Sequence, residues 1–455
     1  MDRTYDVIVV GARCAGSPLA ALLARQGIRV AVVERATFPR DILSTHLFQA
    51  PALSFLDRLG VINQLLETGA PFINGVDGRQ GDVRFSYPAP LLPGDLGGLM
   101  SVRRLLLDPI LADAAFEAGA EVLMAATVTA LIEERGRIAG VRIDQNGSTS
   151  ELLARLVVGA DGRNSTVARL TGARKYNLTP NERFVYWSFF EGASWDPDAP
   201  FVFHRWGNRF VLAMPCDSGL YQVIVLPDLA ELPRFREDLE GSFMEYALSC
   251  EPVAPALVGA TRVGKFFGML RWEGFFRESA GPGWVLVGDA GYFKDPSGGQ
   301  GIGDAFGQAD RLAAVITRGL KGSDEALDRE LEGWWRWRDK DAAGYYWFAT
   351  DLGKAGPIPL PVPEIARRMF AQGQIGKFFN IIAHRIEPKK VLTPPRLFGA
   401  TGRLLVRRGC DRRVLLREVG GLIGETVHRE RLNRKPQYVP AAASADAGAT
   451  EVEGS

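Results

Sequence analysis

The stretch that decides the fold is DVIVVGARCAGSPLAALLARQGIRVAVVE, which runs from Asp6 to Glu34. Val7–Val10 form a continuous apolar run, which is typical of a strand buried on both faces. A glycine turn follows over residues 11–16, and the residues after it predict a helix over 19–26 and a second buried strand over 29–33. This order predicts a βαβ unit with a dinucleotide-binding turn between its first strand and its helix.

The turn reads GARCAG. Gly11 permits a tight bend, and Gly16 lets the helix pack closely on the strand. The free N–H groups at the start of the helix can hold a pyrophosphate, and Glu34 is placed to accept hydrogen bonds from a ribose. Arg13 stands where the fingerprint has its middle glycine. Two interpretations remain open: a degenerate turn that binds nothing, or a cation that folds over the phosphates.

Composition narrows the class of protein. The chain has 455 residues, 46% of them hydrophobic and 24% charged, which suits a soluble protein of two domains. A net charge of +1 gives no overall field for nucleic acid, so that partner is not expected. The first strand begins too early for a signal peptide, and no apolar run approaches the ~20 residues of a membrane span. We therefore expect a cytoplasmic protein.

The four cysteines lie far apart and show no spacing of metal ligands. They suit a reducing compartment, so neither a disulfide scaffold nor a metal site is expected. The cysteines are Cys14, Cys216, Cys250 and Cys410.

Buried strands that end in glycine turns recur further along the chain. Residues 152–160 predict a strand that ends at Asp161-Gly162, and residues 284–287 predict another that ends at Gly288-Asp289. An acidic residue at the carboxyl end of a parallel strand marks the ligand edge of an open α/β sheet, although an Asp-Gly turn without a ligand is an equal alternative. Five glycines, at positions 291, 298, 299, 301 and 303, then precede a helix from Asp304. They predict a bare backbone ledge that faces a ligand.

Between these motifs the chain changes character. Residues 71–97 favour strands and turns, and successive strand-like segments over 176–270 without helices predict an antiparallel sheet. We assign both stretches to the substrate side. His204, Trp187 and Trp206 could line a pocket there, but aromatic residues that alternate along strands more often form the core.

Helices are predicted over 47–59 and 103–118. His46 precedes the first of them. It is a candidate base that lines the site, or a loop histidine that only bonds backbone groups.

The C-terminal part is rich in aromatic and basic residues. The aromatic side chains of 334–348 favour a helix packed over the substrate sheet, with contact to a membrane surface as the less expected alternative. Arginines over 403–417 indicate a solvated helix face, with an anionic partner as the minor alternative. Residues 438–455 are predicted to be disordered.

Taken in order, the Gly11–Gly16 turn with Glu34, the Asp161-Gly162 turn and Gly288-Asp289 resemble the FAD-dependent aromatic hydroxylase superfamily. That superfamily includes flavin-dependent halogenases and geranylgeranyl-reductase-like enzymes, and the resemblance covers about residues 5–320. It implies an α/β fold: a Rossmann-like FAD-binding domain of the GR2 type, an inserted antiparallel-sheet substrate domain and a C-terminal helical region. The implied boundaries are 1–70, 98–175 and 271–320 for the FAD-binding domain, 71–97 and 176–270 for the substrate domain, 321–437 for the helical region and 438–455 for the tail.

The resemblance also implies roles by position. Glu34 would hold the adenosine ribose, Arg104 would contact FAD, Asp289 would bond the ribityl chain, and the helix behind Gly301 would face the flavin pyrimidine. Pro296 and His46 are the candidate catalytic residues. The implied FAD-binding residues are Gly11, Ala12, Arg13, Ala15, Gly16, Glu34, Arg35, Arg104, Asp161, Gly162, Asp289, Gly298, Gly299, Gly301 and Ile302.

The sequence departs from the family pattern at two positions. Ala168 stands where relatives carry Arg after the Asp-Gly motif, with Arg169 next to it, and Tyr292 replaces a His.

The implied activity is that of an NAD(P)H-dependent monooxygenase. It would hydroxylate an aromatic or other small apolar molecule through a flavin hydroperoxide. The stretch FVLAMP at 210–215 lacks the aromatic pairs of halogenases and archaeal reductases, which favours hydroxylation. A geranylgeranyl-reductase-like enzyme acting on an isoprenoid or alkene is the alternative, ahead of a halogenase or a non-catalytic flavin protein. The substrate, the choice of NADH or NADPH and the oligomeric state stay open.

Overall fold

The structure is a computed structural model that describes residues 4–40, 44–198, 200–439 and 451–453. Its strands are β1 (Val7–Val10), β2 (Val30–Val33), β3 (Leu47–Gln49), β4 (Gly75–Gln80), β5 (Val83–Pro88), β6 (Leu99–Ser101), β7 (Glu121–Leu123), β8 (Ala126–Glu134), β9 (Arg137–Gln145), β10 (Ser148–Leu153), β11 (Leu156–Gly159), β12 (Lys175–Pro180), β13 (Val185–Glu191), β14 (Phe201–Trp206), β15 (Arg209–Pro215), β16 (Tyr221–Val225), β17 (Thr261–Met269), β18 (Glu273–Arg277), β19 (Ala280–Gly281), β20 (Trp284–Leu286), β21 (Tyr292–Phe293), β22 (Tyr438–Val439) and β23 (Glu451–Glu453).

The α-helices are α1 (Gly16–Ala24), α2 (Ala50–Leu59), α3 (Ile62–Glu67), α4 (Arg104–Glu117), α5 (Thr166–Leu170), α6 (Leu232–Glu237), α7 (Leu239–Leu248), α8 (Val253–Ala256), α9 (Gly301–Gly319), α10 (Asp324–Leu352), α11 (Pro361–Ala371), α12 (Gly376–Ile382), α13 (Pro388–Val391), α14 (Pro394–Val406) and α15 (Arg412–Arg434).

A six-stranded sheet in the order β19-β20-β11-β1-β2-β7 carries the dinucleotide unit. β1 pairs in parallel with β2 and β11, and β20 pairs in parallel with β11. Val7 and Val9 pack into the core shared with α1, α4 and α9, while Ile8 and Val10 pack against the β8–β9 hairpin. Both faces of β1 are therefore covered, as its unbroken apolar sequence predicts. The carboxyl ends of β1, β11 and β20 lie at one edge of the sheet.

An eight-stranded sheet in the order β23-β17-β13-β16-β15-β14-β4-β5 forms the second layer. Alternate residues face opposite sides because the side-chain period of a strand is two. Tyr186 and Val211 pack beneath α6, α7 and α8. Trp187, Phe210 and Leu212 face the other way, into a core completed by α10, α11 and α12. This second face is the one turned towards the dinucleotide-binding sheet.

Helix α10 connects the two layers. Leu331 and Trp334, in its first half, are buried in the core of the six-stranded sheet. Tyr345, Phe348 and Leu352, in its second half, are buried in the core of the eight-stranded sheet. The aromatic residues of this segment are thus mostly packing residues, as the favoured interpretation of the sequence has it.

Three predicted elements differ from the structure. Residues 47–59 begin as strand β3, because Leu47–Gln49 pair with β6 before the helix starts. The strand predicted over 152–160 is interrupted at 154–155, where the chain leaves the β9–β10 hairpin and joins the main sheet. The region 176–270 contains α6 to α8, and its sheet has one parallel pair, β4 with β14, so it is not purely antiparallel.

Part of the tail that was predicted to be disordered is ordered. Tyr438–Val439 pair with β12, and Glu451–Glu453 pair with β17. Residues 440–450, 454 and 455 lie outside the described residues.

Candidate functional site

The turn after β1 brings backbone unusually close to backbone. Gly11 has φ +105°, and a Cβ built there would lie 2.6 Å from the carbonyl oxygen of Ala160. A Cβ on Gly16 would lie 1.8 Å from the carbonyl oxygen of Gly11. Only glycine fits at these two positions, so the start of α1 remains bare. Exposed N–H groups at a helix start are a site for a phosphate.

Glu34 is buried at the end of β2, beside this turn. Its carboxylate accepts hydrogen bonds from the backbone N–H groups of Ala12 and Ala36, each at 3.0 Å. These bonds fix the position of the carboxylate before any ligand arrives. The neighbouring Arg35 is exposed.

Two arginines share one carboxylate next to the turn. Arg13 Nη1 lies 2.9 Å from Asp108 Oδ2, and Arg104 donates to both oxygens of Asp108 at 2.6 and 2.9 Å. Burial would lower the pKa of Arg104, but the charge of Asp108 raises it. The trio carries a net positive charge, which suits a pyrophosphate. Asp108 was not predicted, although its spacing of four residues from Arg104 on α4 is the signal that could have found it.

Cys14, within the turn, is buried, and burial raises the pKa of its thiol to about 12. The thiol is therefore protonated at neutral pH and a poor nucleophile.

The two Asp-Gly motifs lie at the same sheet edge. Asp161 Oδ2 accepts from the N–H groups of Thr166 and Val167 at the start of α5, at 2.6 and 3.3 Å, while its Oδ1 is buried without a partner among the described residues. Burial raises the pKa of Asp161. Gly162 has φ +79°, and a Cβ built there would meet nothing within 4 Å. A buried acceptor beside open backbone is available to a ligand.

Asp289 lies on the turn after β20, and that turn abuts α1: a Cβ on Gly288 would lie 2.9 Å from Ala15 Cβ. Burial raises the pKa of Asp289 to about 6, with Arg163 and Arg104 opposing that rise. The carboxylate lies just after the end of a parallel strand, where hydroxyl groups of a ligand can donate to it.

The predicted ledge is a 3₁₀ turn, Pro296–Gly298, that leads into α9. Gln49 Nε2 donates to the carbonyl of Gly299 at 2.8 Å, and Gln300 Nε2 donates to the carbonyls of Ile381 and Ile382 at 3.1 and 2.9 Å. A Cβ added to Gly301 would meet nothing within 4 Å. The ledge is therefore clamped from both sides, while its helix N-terminus faces open space. Neither glutamine was predicted, because their partners are backbone carbonyls far away in sequence.

Ile302, which follows Gly301, is buried in the core. A charged cluster lies behind it. Asp304, in the first turn of α9, lies 2.6 Å from Lys294 Nζ and 2.9 Å from His384 Nδ1. Burial alone would raise the pKa of Asp304, but His384 and Lys294 lower it to about 2. Burial lowers the pKa of Lys294. No local sequence pattern indicates this cluster, since His384 lies in the turn after α12, far from Asp304 along the chain.

His46 is buried and has φ +59°. Its Nδ1 accepts the backbone N–H of Arg104 at 3.1 Å, at the start of α4. Burial and the nearby Arg104 and Arg103 lower the pKa of His46 to about 3, so the ring is neutral and Nε2 carries the proton. This geometry favours the interpretation of a loop histidine that bonds backbone. A catalytic role for His46, like that for Pro296, stays a prediction.

The candidate pocket aromatics separate onto two faces. Trp187 lies on the face turned to the ledge, in one core with Phe210 and Leu212. His204 and Trp206 lie on the opposite face, where His204 Nε2 is 2.8 Å from Asp77 Oδ1.

These features together fit FAD. The bare start of α1 and the arginine pair are the kinds of donor that a pyrophosphate requires, and the carboxylates of Glu34 and Asp289 are acceptors for hydroxyl groups. That each of them contacts FAD stays a prediction. The fold and the site thus define a protein of the FAD-dependent oxidoreductase class.

Comparison with known proteins gives the family. Residues 4–196 match the model of a family described as an FAD binding domain. Menaquinone reductase of Mycolicibacterium smegmatis is 30% identical over 328 residues, which are 70% of this chain and 77% of that protein. The 6-methylpretetramide 4-monooxygenase of Streptomyces rimosus is 29% identical over 342 residues, with the same two shares. The chain belongs to this family of FAD-binding oxidoreductases, and it is an enzyme that binds FAD.

A solved structure agrees on the fold. A flavin-dependent brominase superposes with a TM-score of 0.68 at 17% identity, over 88% of this chain and 98% of that one. The resemblance and the α/β fold expected from the sequence are confirmed. None of the described helices combines the length and the apolar character that crossing a bilayer requires.

Proposed function

We propose that the chain is an NAD(P)H-dependent monooxygenase that hydroxylates an aromatic or other small apolar molecule. The observation that carries the proposal is the apolar wall beside the ledge. Leu47, Trp187, Phe210 and Phe293 belong to one buried core, and a Cβ on Gly299 of the ledge would lie 3.2 Å from Leu47. Such a wall excludes water and accepts an apolar ring.

FAD, when bound, supplies the electron transfer and the activation of oxygen. The protein supplies position and electrostatics. Pro296 restricts the backbone of the ledge to one shape, and the N–H groups at the start of α9 place a partial positive charge at the flavin edge, worth about 0.3–1 kcal/mol.

Two buried donors could orient the substrate. Trp187 Nε1 and Gln222 Nε2 have no hydrogen-bond partner among the described residues. Both lie on the face of the sheet turned to the ledge, on neighbouring strands, because Phe189 pairs with Gln222 two residues from Trp187. A buried donor without a partner costs about 1–3 kcal/mol. A substrate oxygen that accepted from either group would recover that energy and fix the ring against the wall.

A reductase acting on an isoprenoid or alkene is the second candidate, because the relative at 30% identity is named menaquinone reductase. Product analysis separates the two reactions. The enzyme, NAD(P)H and 1-naphthol are incubated under isotopically heavy dioxygen, and a prenylated naphthoquinone is incubated with NAD(P)H without oxygen. Heavy oxygen in the naphthol product supports the monooxygenase. A quinone that gains two hydrogens in its side chain, with no oxygen incorporated in the first arm, supports the reductase and refutes the proposal.

A further inference from the structure

Helix α15 exposes apolar side chains along one face. Leu416, Ile423 and Val427 are 56%, 41% and 47% exposed, and spacings of seven and four residues place them in one row. Leu415 and Val419, on the adjoining side of the same helix, are buried against α14. These buried residues attach the helix to the body of the protein. The exposed row itself has no partner in the described chain.

The region around this row is strongly basic. Residues 394–435 contain eleven Lys and Arg and four Asp and Glu, a net charge of +7, whereas the whole chain carries +1. Arg407, Arg408, Arg413 and Arg417 are exposed, and no carboxylate of the described residues lies within 4.0 Å of their guanidinium nitrogens. Most of this positive charge is thus available to a partner.

A cavity of about 530 Å³ lies at the C-terminal end of the same helix. Arg431, Arg434 and Lys435 line it together with His428, Leu432 and Gln437. Arg434 is 3.2 Å from Glu430, but neither Arg431 nor Lys435 has a carboxylate partner among the described residues. The cavity therefore offers cations and an apolar floor, the combination that an anionic headgroup with its attached hydrocarbon requires.

We propose that α15 docks the enzyme on a membrane surface rich in anionic phospholipid. The row of Leu416, Ile423 and Val427 enters the interface, the surrounding arginines contact headgroups, and one headgroup phosphate occupies the cavity at Arg431. An amphipathic helix with an apolar row and flanking cations is the kind that lies in a membrane interface without spanning it. This docking is independent of the proposed reaction.

The charge and the apolar surface of this region favour an anionic membrane over a second copy of the chain and over nucleic acid. A second copy of the chain would bring +7 against +7 across the row, which opposes self-association. Nucleic acid would use the arginines but leave the apolar row exposed to water, because its contacts are with phosphate and base edges. An anionic bilayer satisfies both the charge and the apolar surface.

The test is flotation of the FAD-loaded full-length enzyme with vesicles. Vesicles of phosphatidylcholine alone are compared with an equal mixture of phosphatidylcholine and phosphatidylglycerol, at low and at high salt. We expect the enzyme to float with the mixed vesicles only, and less so at high salt. Replacing Arg431 and Arg434 together by Gln removes two surface cations and should lower partitioning about 30-fold. The pair Leu416→Ser and Ile423→Ser should lower it at least ~10-fold.

The control variants change exposed residues outside α15. Val258→Ser and Arg318→Gln change an exposed apolar residue and an exposed arginine outside α15, and both should float like the unchanged enzyme. Flavin content and Tm of every variant confirm that it is folded. The proposal is overturned by equal flotation with both vesicle types, by none with either, or by an equal loss in the controls. The proposal is also overturned if the variant with Leu416→Ser and Ile423→Ser has half the mass of the unchanged enzyme in solution, because the row would then be a dimer interface. It is likewise overturned if duplex DNA displaces the enzyme from the vesicles.

Discussion

Removing the charge of Asp289 should stabilise the apoprotein and weaken its hold on FAD. Burial raises the pKa of this carboxyl from 3.8 to about 6. Each pKa unit is worth 1.36 kcal/mol, so the ionised carboxylate lowers the stability of the folded apoprotein by about 3 kcal/mol at pH 7.5. Asn at this position is isosteric and uncharged. The raised pKa already includes the opposing charges of Arg163 and Arg104, so the net effect of the ionised carboxylate on stability is unfavourable.

The size of the Tm change follows from chain length. Unfolding entropy is about 2.1 cal/mol/K per residue, so 455 residues give about 1 °C per kcal/mol. Asp289→Asn should therefore raise the Tm of the apoprotein by about 3 °C at pH 7.5, measured by intrinsic fluorescence after FAD has been removed. FAD should bind about tenfold more weakly, measured by flavin fluorescence titration, because a charge-assisted hydrogen bond to the ribityl chain becomes a neutral one.

The pH dependence has a definite sign. The folded pKa is raised, so the contribution of Asp289 to stability is fully present below about pH 3.8 and is lost as pH rises through about 6. The Tm advantage of the Asn variant should be absent near pH 4, grow between pH 4 and 6 and then stay constant.

Asp295 provides the matched control. Burial also raises its pKa to about 6, but its carboxylate accepts from Ser297 N at 3.0 Å and from Trp272 Nε1 at 3.3 Å. Asn at this position keeps one acceptor oxygen but turns an NH2 donor towards either Ser297 or Trp272, so one bond is lost and Asp295→Asn should raise the apoprotein Tm less than Asp289→Asn does. A lower Tm for apo Asp289→Asn at pH 7.5, or unchanged FAD affinity, would refute the assignment of Asp289 as a strained cofactor ligand.

Two further substitutions and one chemical modification test the site. Gly16→Ala should abolish FAD binding in protein that still folds, since its Cβ would collide with the turn; near-normal flavin content after purification would contradict this. Asp304→Asn should cost about 3–5 kcal/mol of unfolding free energy, because buried Lys294 loses its partner, and urea unfolding that matches the parent would exclude an ion pair of that strength. Cys14 should resist iodoacetamide at pH 8, because its pKa is about 12 and its side chain is buried; rapid alkylation seen by mass spectrometry would count against that environment.

Local features of the sequence were enough to predict much of the nucleotide-binding part. A continuous apolar run, a glycine turn and a helix pattern predict β1, the turn and α1. All three depend on contacts within thirty or so residues of sequence. Glu34 and Asp289 follow because the ends of parallel strands meet at one edge. The strand at Leu47–Gln49 was missed because its partner strand, β6, lies fifty residues further along the chain.

The charges of the site were harder to predict because their pairing depends on tertiary contacts. Arg13, in the turn before α1, was left with two interpretations, and the structure pairs it with Asp108 on α4. His384 contacts Asp304 from eighty residues away, and no local pattern marks either residue. His46 illustrates the same limit: its low pKa reflects burial and two arginines, neither of which its neighbours in sequence reveal.

Helix α10 has a consequence for how the enzyme unfolds. It is 29 residues long, about 43 Å, and it contributes Trp334 to one core and Phe348 to the other. Neither half of the molecule can melt without exposing part of this helix, so the two sheets share one cooperative transition. FAD that binds at the first sheet therefore also stabilises the second sheet against unfolding. Amide hydrogens in β15, which belongs to the second sheet, should therefore exchange faster when FAD leaves.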